Sequence, residues 1–159
     1  MTLDPKELRR VMGHFATGVT VITTRDIQGV PYGLTANAFI SLSLDPPLVL
    51  ISVDKTAHCY GCFHASKVFA VNFLSDEQEE ISRRFATKGI DKFAGLEWYE
   101  GSNGAAILAG VIGYVECRMT EWHEGGDHTI IVGEIVNARA SGGRPLLFFQ
   151  GKYQRLPSP

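Results

Sequence analysis

Runs of alternating or wholly apolar residues, each closed by a turn signal, constrain this chain more than any other feature. In GLTANAFISLSLDPP (33–47), Leu34, Ala36, Ala38, Ile40, Leu42 and Leu44 form one row and Thr35, Asn37, Phe39, Ser41, Ser43 and Asp45 the other. A period of two predicts a strand. The preceding VTVITT is joined to it through RDIQG, a polar stretch ending in Gly29, so the two runs predict a hairpin. Pro46 and Pro47 cannot donate to a ladder and end the pairing, after which LVLISV (48–53) reads as a strand buried on both faces. KVFAVNFL predicts another strand, and the last third predicts two long strands joined through HEGGD and a shorter one after SGGRP.

Helical signals are fewer. Asp4 caps an expected helix with Pro5 at its first position and Leu8, Val11, Met12 and Phe15 on one face, and Gly18 is its expected stop. DKTAHCYGCFHAS has room for a short helix, and Ser75 is the expected cap of DEQEEISRRFATKG, acidic at its start and basic at its end. The segment IDKFAGLEWYEGSNGAA shows no period and reads as a covering loop. Many antiparallel runs with too few helices to cover a parallel sheet predict a mainly β chain, rolled into a closed or nearly closed barrel.

A length of 159 residues with 45% hydrophobic residues suits one domain over 1–159. Fifteen basic and seventeen acidic residues leave a net charge of -2 with no basic run, which gives nucleic acid or a membrane surface no electrostatic basis as a partner. No apolar run approaches the roughly 20 residues of a membrane span, and MTLDPKELRR is charged rather than signal-like, so a cytoplasmic protein is expected. Cys59, Cys62 and Cys117 are odd in number and too sparse for a disulfide framework, as expected of reduced thiols.

No GxxxxGK[ST], helix-opening GxGxxG, HExxH, EF-hand or GxSxG occurs. Three stretches remain. HCYGCFH places Cys59 and Cys62 between His58 and His64, the donor types of a zinc or thiol-redox site; yet seven residues have difficulty converging four ligands, and an ordinary half-buried helix accounts for them as well. In GGDHTIIVGE, His128 follows glycines that let a ligand approach the backbone, and it also fits as a structural residue at a strand start. The third is the 33–47 strand, whose second row carries short hydroxyls and an amide where a solvated face carries long charged side chains. That row reads equally as a ligand wall or as an exposed strand.

Taken together, FATGVTVITT, GLTANAFISLSLDPPLVLISV, RRFA, GDHTIIVGE and LLFFQGKYQRL resemble the short-chain flavin reductase family, the reductase components of two-component flavin-dependent monooxygenases, over roughly residues 8 to 156. The resemblance implies an FMN-binding split barrel, a Greek-key-like antiparallel barrel working as a homodimer. It implies that NADH or NADPH reduces FMN or FAD and that the reduced flavin diffuses to a monooxygenase. Carried onto this chain, it sets Thr35, Ala36, Asn37 and Ala38 beside the flavin ring and Ser41 and Ser43 toward the ribityl phosphate. Ser52, Val53, Thr56, Phe85 and Ala86 are further flavin contacts, with Lys92 a phosphate partner by charge. His128 would orient the nicotinamide nucleotide as the catalytic residue, with Tyr153 near the same pocket. A split barrel that holds FMN or haem tightly as a carrier is the alternative.

Overall fold

The computed structural model describes residues 2–158. In chain order these form α1 (Pro5–Met12), β1 (Thr17–Gly18), β2 (Thr20–Arg25), β3 (Pro31–Ala36), β4 (Phe39–Leu44), β5 (Pro47–Asp54), α2 (Tyr60–Ser66) and β6 (Val68–Phe73). There follow α3 (Glu79–Ala86), β7 (Trp98–Glu100), β8 (Ala106–Leu108), β9 (Gly113–Gly125), β10 (His128–Ala140), β11 (Leu146–Phe149) and β12 (Lys152–Arg155). The chain is mainly β, as the alternating runs require, and no described helix is long and apolar enough to cross a membrane.

Seven strands form one antiparallel sheet in the order β3-β2-β6-β9-β10-β5-β4. Its two edge strands, β3 and β4, are consecutive in sequence and separated only by Asn37 and Ala38. Ala36 and Phe39 are three steps apart and so at most about 11 Å from each other, which brings the edges together and curls the sheet into a barrel left open along one seam. The Ser52 amide donates to the Ala38 carbonyl (3.3 Å), which carries the β4-β5 ladder one residue into the crossover. The inner face carries Ile22, Val49, Ile51, Val53, Phe69, Val71 and Ile131, all nearly or fully buried. On β10, a Cβ at Gly133 would overlap the Phe69 ring, so glycine is needed where that ring crosses the strand.

The crossover changes which residues face inward. Leu34 and Ala36 pack on the core, as the alternation predicts, but beyond Asn37 and Ala38 it is Phe39 that enters the barrel, against Phe73 (centroids 5.3 Å apart). Ile40 points outward, 54% exposed, and Leu42 and Leu44 farther along are exposed by 45% and 90%. A bulge then sets Ser41 opposite Val49 and Ser43 opposite Leu48. Those β5 neighbours point to opposite faces, so Ser41 and Ser43 do not share one. Likewise β5 is buried on its Val49, Ile51, Val53 face alone.

Asp4 caps α1 through the Lys6 amide (3.1 Å), but the helix stops at Gly13 rather than Gly18. The C-terminal hairpin intervenes there: Gln150 donates its amide to the Gly13 carbonyl (2.7 Å). α3 begins at Glu79 and Ser75 does not cap it. Residues 75–78 are instead tied to the segment before β11, with the Asp76 amide on the Arg144 carbonyl (2.9 Å) and its carboxylate on the Arg144 guanidinium (3.1 Å). The aperiodic segment after α3 contains the β7-β8 hairpin, whose strands are too short to show a period.

Candidate functional site

α3 lies against the outer side of edge strand β3. Gly33 and Thr35 project from β3 toward the helix, and Ser82 and Phe85, one helical turn apart, project back. The Thr35 hydroxyl donates to the Ser82 carbonyl (2.6 Å). A Cβ at Gly33 would lie 2.8 Å from Phe85 Cε1, so the glycine is what lets the ring reach the strand. Phe85 is fully buried and meets Phe93 edge-on at 5.1 Å, which folds the segment after α3 back over the helix. Short hydroxyls suit β3 at this point because a helix, rather than water, covers them.

Three polar clusters continue along this seam. At one end, the Ser82 hydroxyl meets the Tyr153 hydroxyl of β12 (2.7 Å), with the Arg83 guanidinium over the Tyr153 ring at 4.9 Å. In the middle, Lys92 Nζ donates to the carbonyls of Gly33 (3.2 Å) and Phe85 (2.7 Å). Burial holds this ammonium below its usual pKa. At the other end, exposed Lys88 reaches the Thr56 hydroxyl (3.4 Å) just past β5. Thr56 donates its amide (2.7 Å) and hydroxyl (2.8 Å) to Asp54, and these bonds, with the nearby charges of His128 and Lys88, hold the Asp54 carboxyl below its usual range. His128 pairs across from Asp54 in the β10-β5 ladder. Its Nδ1 donates to Asp127 Oδ1 (2.7 Å), which orients the ring and leaves Nε2 available.

The crossover follows directly from β3. Asn37 and Ala38 are exposed, and among the described residues neither of their amides, nor the Asn37 side chain, has a hydrogen-bond partner. A cavity of about 490 Å³ opens beside Asn37, lined also by Phe15, Thr17, Thr20, Phe39 and Arg139. Its size is that of a small-molecule pocket.

The structure places Thr35, Ala36, Asn37, Ala38, Ser52, Thr56, Ala86 and His128 along β3, the crossover, the end of β5, α3 and the start of β10, while Val53 and Phe85 turn fully buried side chains into the core. It does not bring every expected residue there. The Tyr153 hydroxyl is engaged by Ser82 in a separate sheet rather than meeting His128. Lys92 is committed to carbonyls rather than left free for a phosphate, while Lys88 is the exposed cation at that end. Ser43 turns to the face opposite Ser41. Within HCYGCFH, the four donors have separate surroundings: His58 rests on Tyr32, His64 on Trp122, and Cys59 lies in the core.

A family model described as the flavin reductase like domain matches residues 12–157. The chain belongs to this family. Among curated flavin reductase relatives it is 41% identical over 152 residues to the reductase subunit HsaB of a flavin-dependent monooxygenase from Rhodococcus jostii, covering 95% of this chain and 77% of that protein. It is 44% identical to the stachydrine N-demethylase reductase subunit Stc3 of Rhizobium meliloti over 94% of this chain, but spans only 65% of that longer protein. The NADH:FAD oxidoreductase SgcE6 of Streptomyces globisporus, solved with NAD and FAD fragments, superposes with a TM-score of 0.91 at 41% identity, covering 99% of this chain and 97% of that one. With this family established, the barrel with its two-residue seam crossing is the split-barrel architecture expected from the sequence.

Proposed function

We propose that this flavin reductase uses NADH or NADPH to reduce FMN or FAD and releases the reduced flavin to a partner monooxygenase. One observation carries the assignment of the site: exposed, unpartnered amides at Asn37 and Ala38, with no side chain beyond Cβ at Ala36 and Ala38, at the crossover of a flavin reductase barrel. A flat ring can lie against such backbone, and free amides supply donors to the ring edge that becomes negative on reduction. The anionic tail then runs along α3 toward Lys88 and Thr56. These features fit a planar, phosphate-bearing flavin.

The hydride passes from nicotinamide C4 to flavin N5, chemistry that the two nucleotides bring with them. The chain's part is alignment. Asn37 and the bare amides hold the ring, Lys88 and Thr56 hold the phosphate end, and His128, its Nδ1 fixed by Asp127, offers Nε2 to the nicotinamide nucleotide. Such a site needs no covalent nucleophile.

The same reading places two copies together and the chain in the cytoplasm. Ile40, Leu42 and Leu44 are exposed apolar side chains on edge strand β4, and Leu8, Val11 and Met12 on α1, with Phe15 just past it, are also exposed. Apolar side chains exposed on an open edge strand call for a cover, and a second copy of this chain is our candidate. All three cysteines are free, in keeping with a reducing compartment.

The deciding assay is NADH and NADPH oxidation with FMN, FAD and riboflavin as acceptors, on protein purified without added flavin. A colourless preparation that turns over added flavin supports the reductase. A yellow preparation with stoichiometric flavin and no turnover would establish the tight-binding carrier instead.

A further inference from the structure

We infer that Lys92 is a positioning residue: its ammonium clamps the backbone of β3 to the C-terminal turn of α3 and so fixes the crossover that β3 leads into, where the flavin ring is proposed to lie. The inference rests on the flavin site proposed above and gives Lys92 a role other than phosphate binding.

Geometry carries it. Phe85 lies among the last four residues of α3, whose carbonyls have no partner within the helix. Its carbonyl accepts from Lys92 at 2.7 Å, and the same ammonium reaches the Gly33 carbonyl of β3 at 3.2 Å. One cation thus joins strand and helix, and a positive charge at a helix C-terminus also matches the helix dipole. Two of its three donors are engaged, which offsets the burial of the charge and leaves one free.

What the clamp holds is directly functional in position. Apart from Lys92, β3 and α3 are joined by the Thr35-Ser82 hydrogen bond and by the seat of the Phe85 ring on Gly33. β3 runs through Ala36 directly into the crossover at Asn37 and Ala38. Releasing the Gly33 and Phe85 carbonyls would let β3 shift on the helix end, and the crossover with it. The ring that FMN and riboflavin share would lose alignment.

FMN and riboflavin separate the possible roles, because they share the ring and differ in the phosphate. Lys92→Met keeps the apolar stem and removes the ammonium. The expected result is a rise in KM by the same factor for both flavins, on the order of tenfold, measured well below the melting temperature of the variant. Lys88→Gln serves as the contrast and should raise KM for FMN only. Should Lys92→Met not fold, Lys92→Gln keeps an N–H donor without the charge, and its ratio of FMN to riboflavin KM should equal that of the wild type. Loss confined to FMN in either variant would make Lys92 a phosphate ligand and overturn the inference. A lower melting temperature with both KM values unchanged would reduce Lys92 to a stability element and overturn it equally. Failure of the wild type to oxidise NADH or NADPH with any flavin would refute the proposed function itself, a distinct outcome.

Discussion

Gly33→Ala is the sharpest test of the β3-α3 seam. The added methyl would stand 2.8 Å from Phe85 Cε1, 3.0 Å from Phe85 Cδ1 and 3.1 Å from the Ile22 carbonyl oxygen. None of these can yield cheaply. The Phe85 ring is fully buried and held edge-on by Phe93, and Ile22 is backbone in the neighbouring strand. Overpacking of this kind costs about 1–3 kcal/mol. For a chain of this length, about 2 kcal/mol lowers the melting temperature by roughly 4–8 °C. The seam must widen to admit the methyl, so KM for flavin should rise along with the loss of stability. Shortening the ring should relieve the clash. In a double-mutant cycle, Phe85→Leu should therefore be less destabilising in the Gly33→Ala background than in the wild type by about 1 kcal/mol or more. Thermal and urea unfolding of the four proteins measure this coupling. Additivity within about 0.5 kcal/mol would show that the methyl does not meet the ring, and the account of Gly33 would fail.

Other perturbations probe separate parts of the site. His128→Ala should raise KM for the nicotinamide nucleotide by roughly five- to tenfold through a lost hydrogen bond and leave flavin KM near wild type; the reverse pattern in steady-state kinetics would remove His128 from the nucleotide. Leu44→Lys, at a side chain 90% exposed, should shift sedimentation from dimer toward monomer, and an unchanged sedimentation coefficient would move the interface elsewhere. Burial pushes the Cys59 thiol up to about 11 and Cys117 up to about 12, so at pH 8 the Cys59 thiolate fraction is about one in a thousand (8 − 11 = −3). Iodoacetamide should accordingly label half-buried Cys62 first, and mass spectrometry showing Cys59 labelled as fast would contradict its burial. The Asp54 carboxyl is depressed chiefly by the Thr56 amide and hydroxyl. Its contribution is therefore present at neutral pH and lost as pH falls through the folded value. Hydrogen exchange of the Thr56 amide should accelerate there relative to its intrinsic rate, and that dependence should vanish in Asp54→Asn.

The strands were legible because alternation and turn chemistry agree along most of the barrel. What escaped sequence reading was interruption without a marker. Asn37 and Ala38 contain neither Gly nor Pro, so the alternation through 33–45 reads as one strand although it is two. Nothing at Leu42 announces the bulge that separates Ser41 from Ser43. At the site, Thr35 was recognisable as unusual, but its partner is a backbone carbonyl of α3, and backbone leaves no trace in composition. Ser82 is a helix-interior serine and carries no signal beyond standing three residues before Phe85. Lys88 and Lys92 have the same side chain four residues apart. Only packing distinguishes the exposed one beside Thr56 from the half-buried one holding two carbonyls.

The crossover ties together the site and the proposed assembly. A continuous strand would keep one apolar row inward and its hydroxyl row outward along its whole length. By leaving the sheet for two residues, the chain exposes backbone donors at Asn37 and Ala38 and at the same time turns Ile40 outward, with Leu42 and Leu44 exposed beyond it. Exposed Ile40, Leu42 and Leu44 would be a liability on a lone barrel. Covered by a second copy, they would bring that copy against the strand beginning immediately after the backbone we propose to hold the flavin. Flavin binding and dimerisation should then be coupled, because both draw on the position of residues 37–39. Added FMN should therefore lower the dimer dissociation constant of Leu44→Lys, by the same factor by which dimer formation tightens FMN.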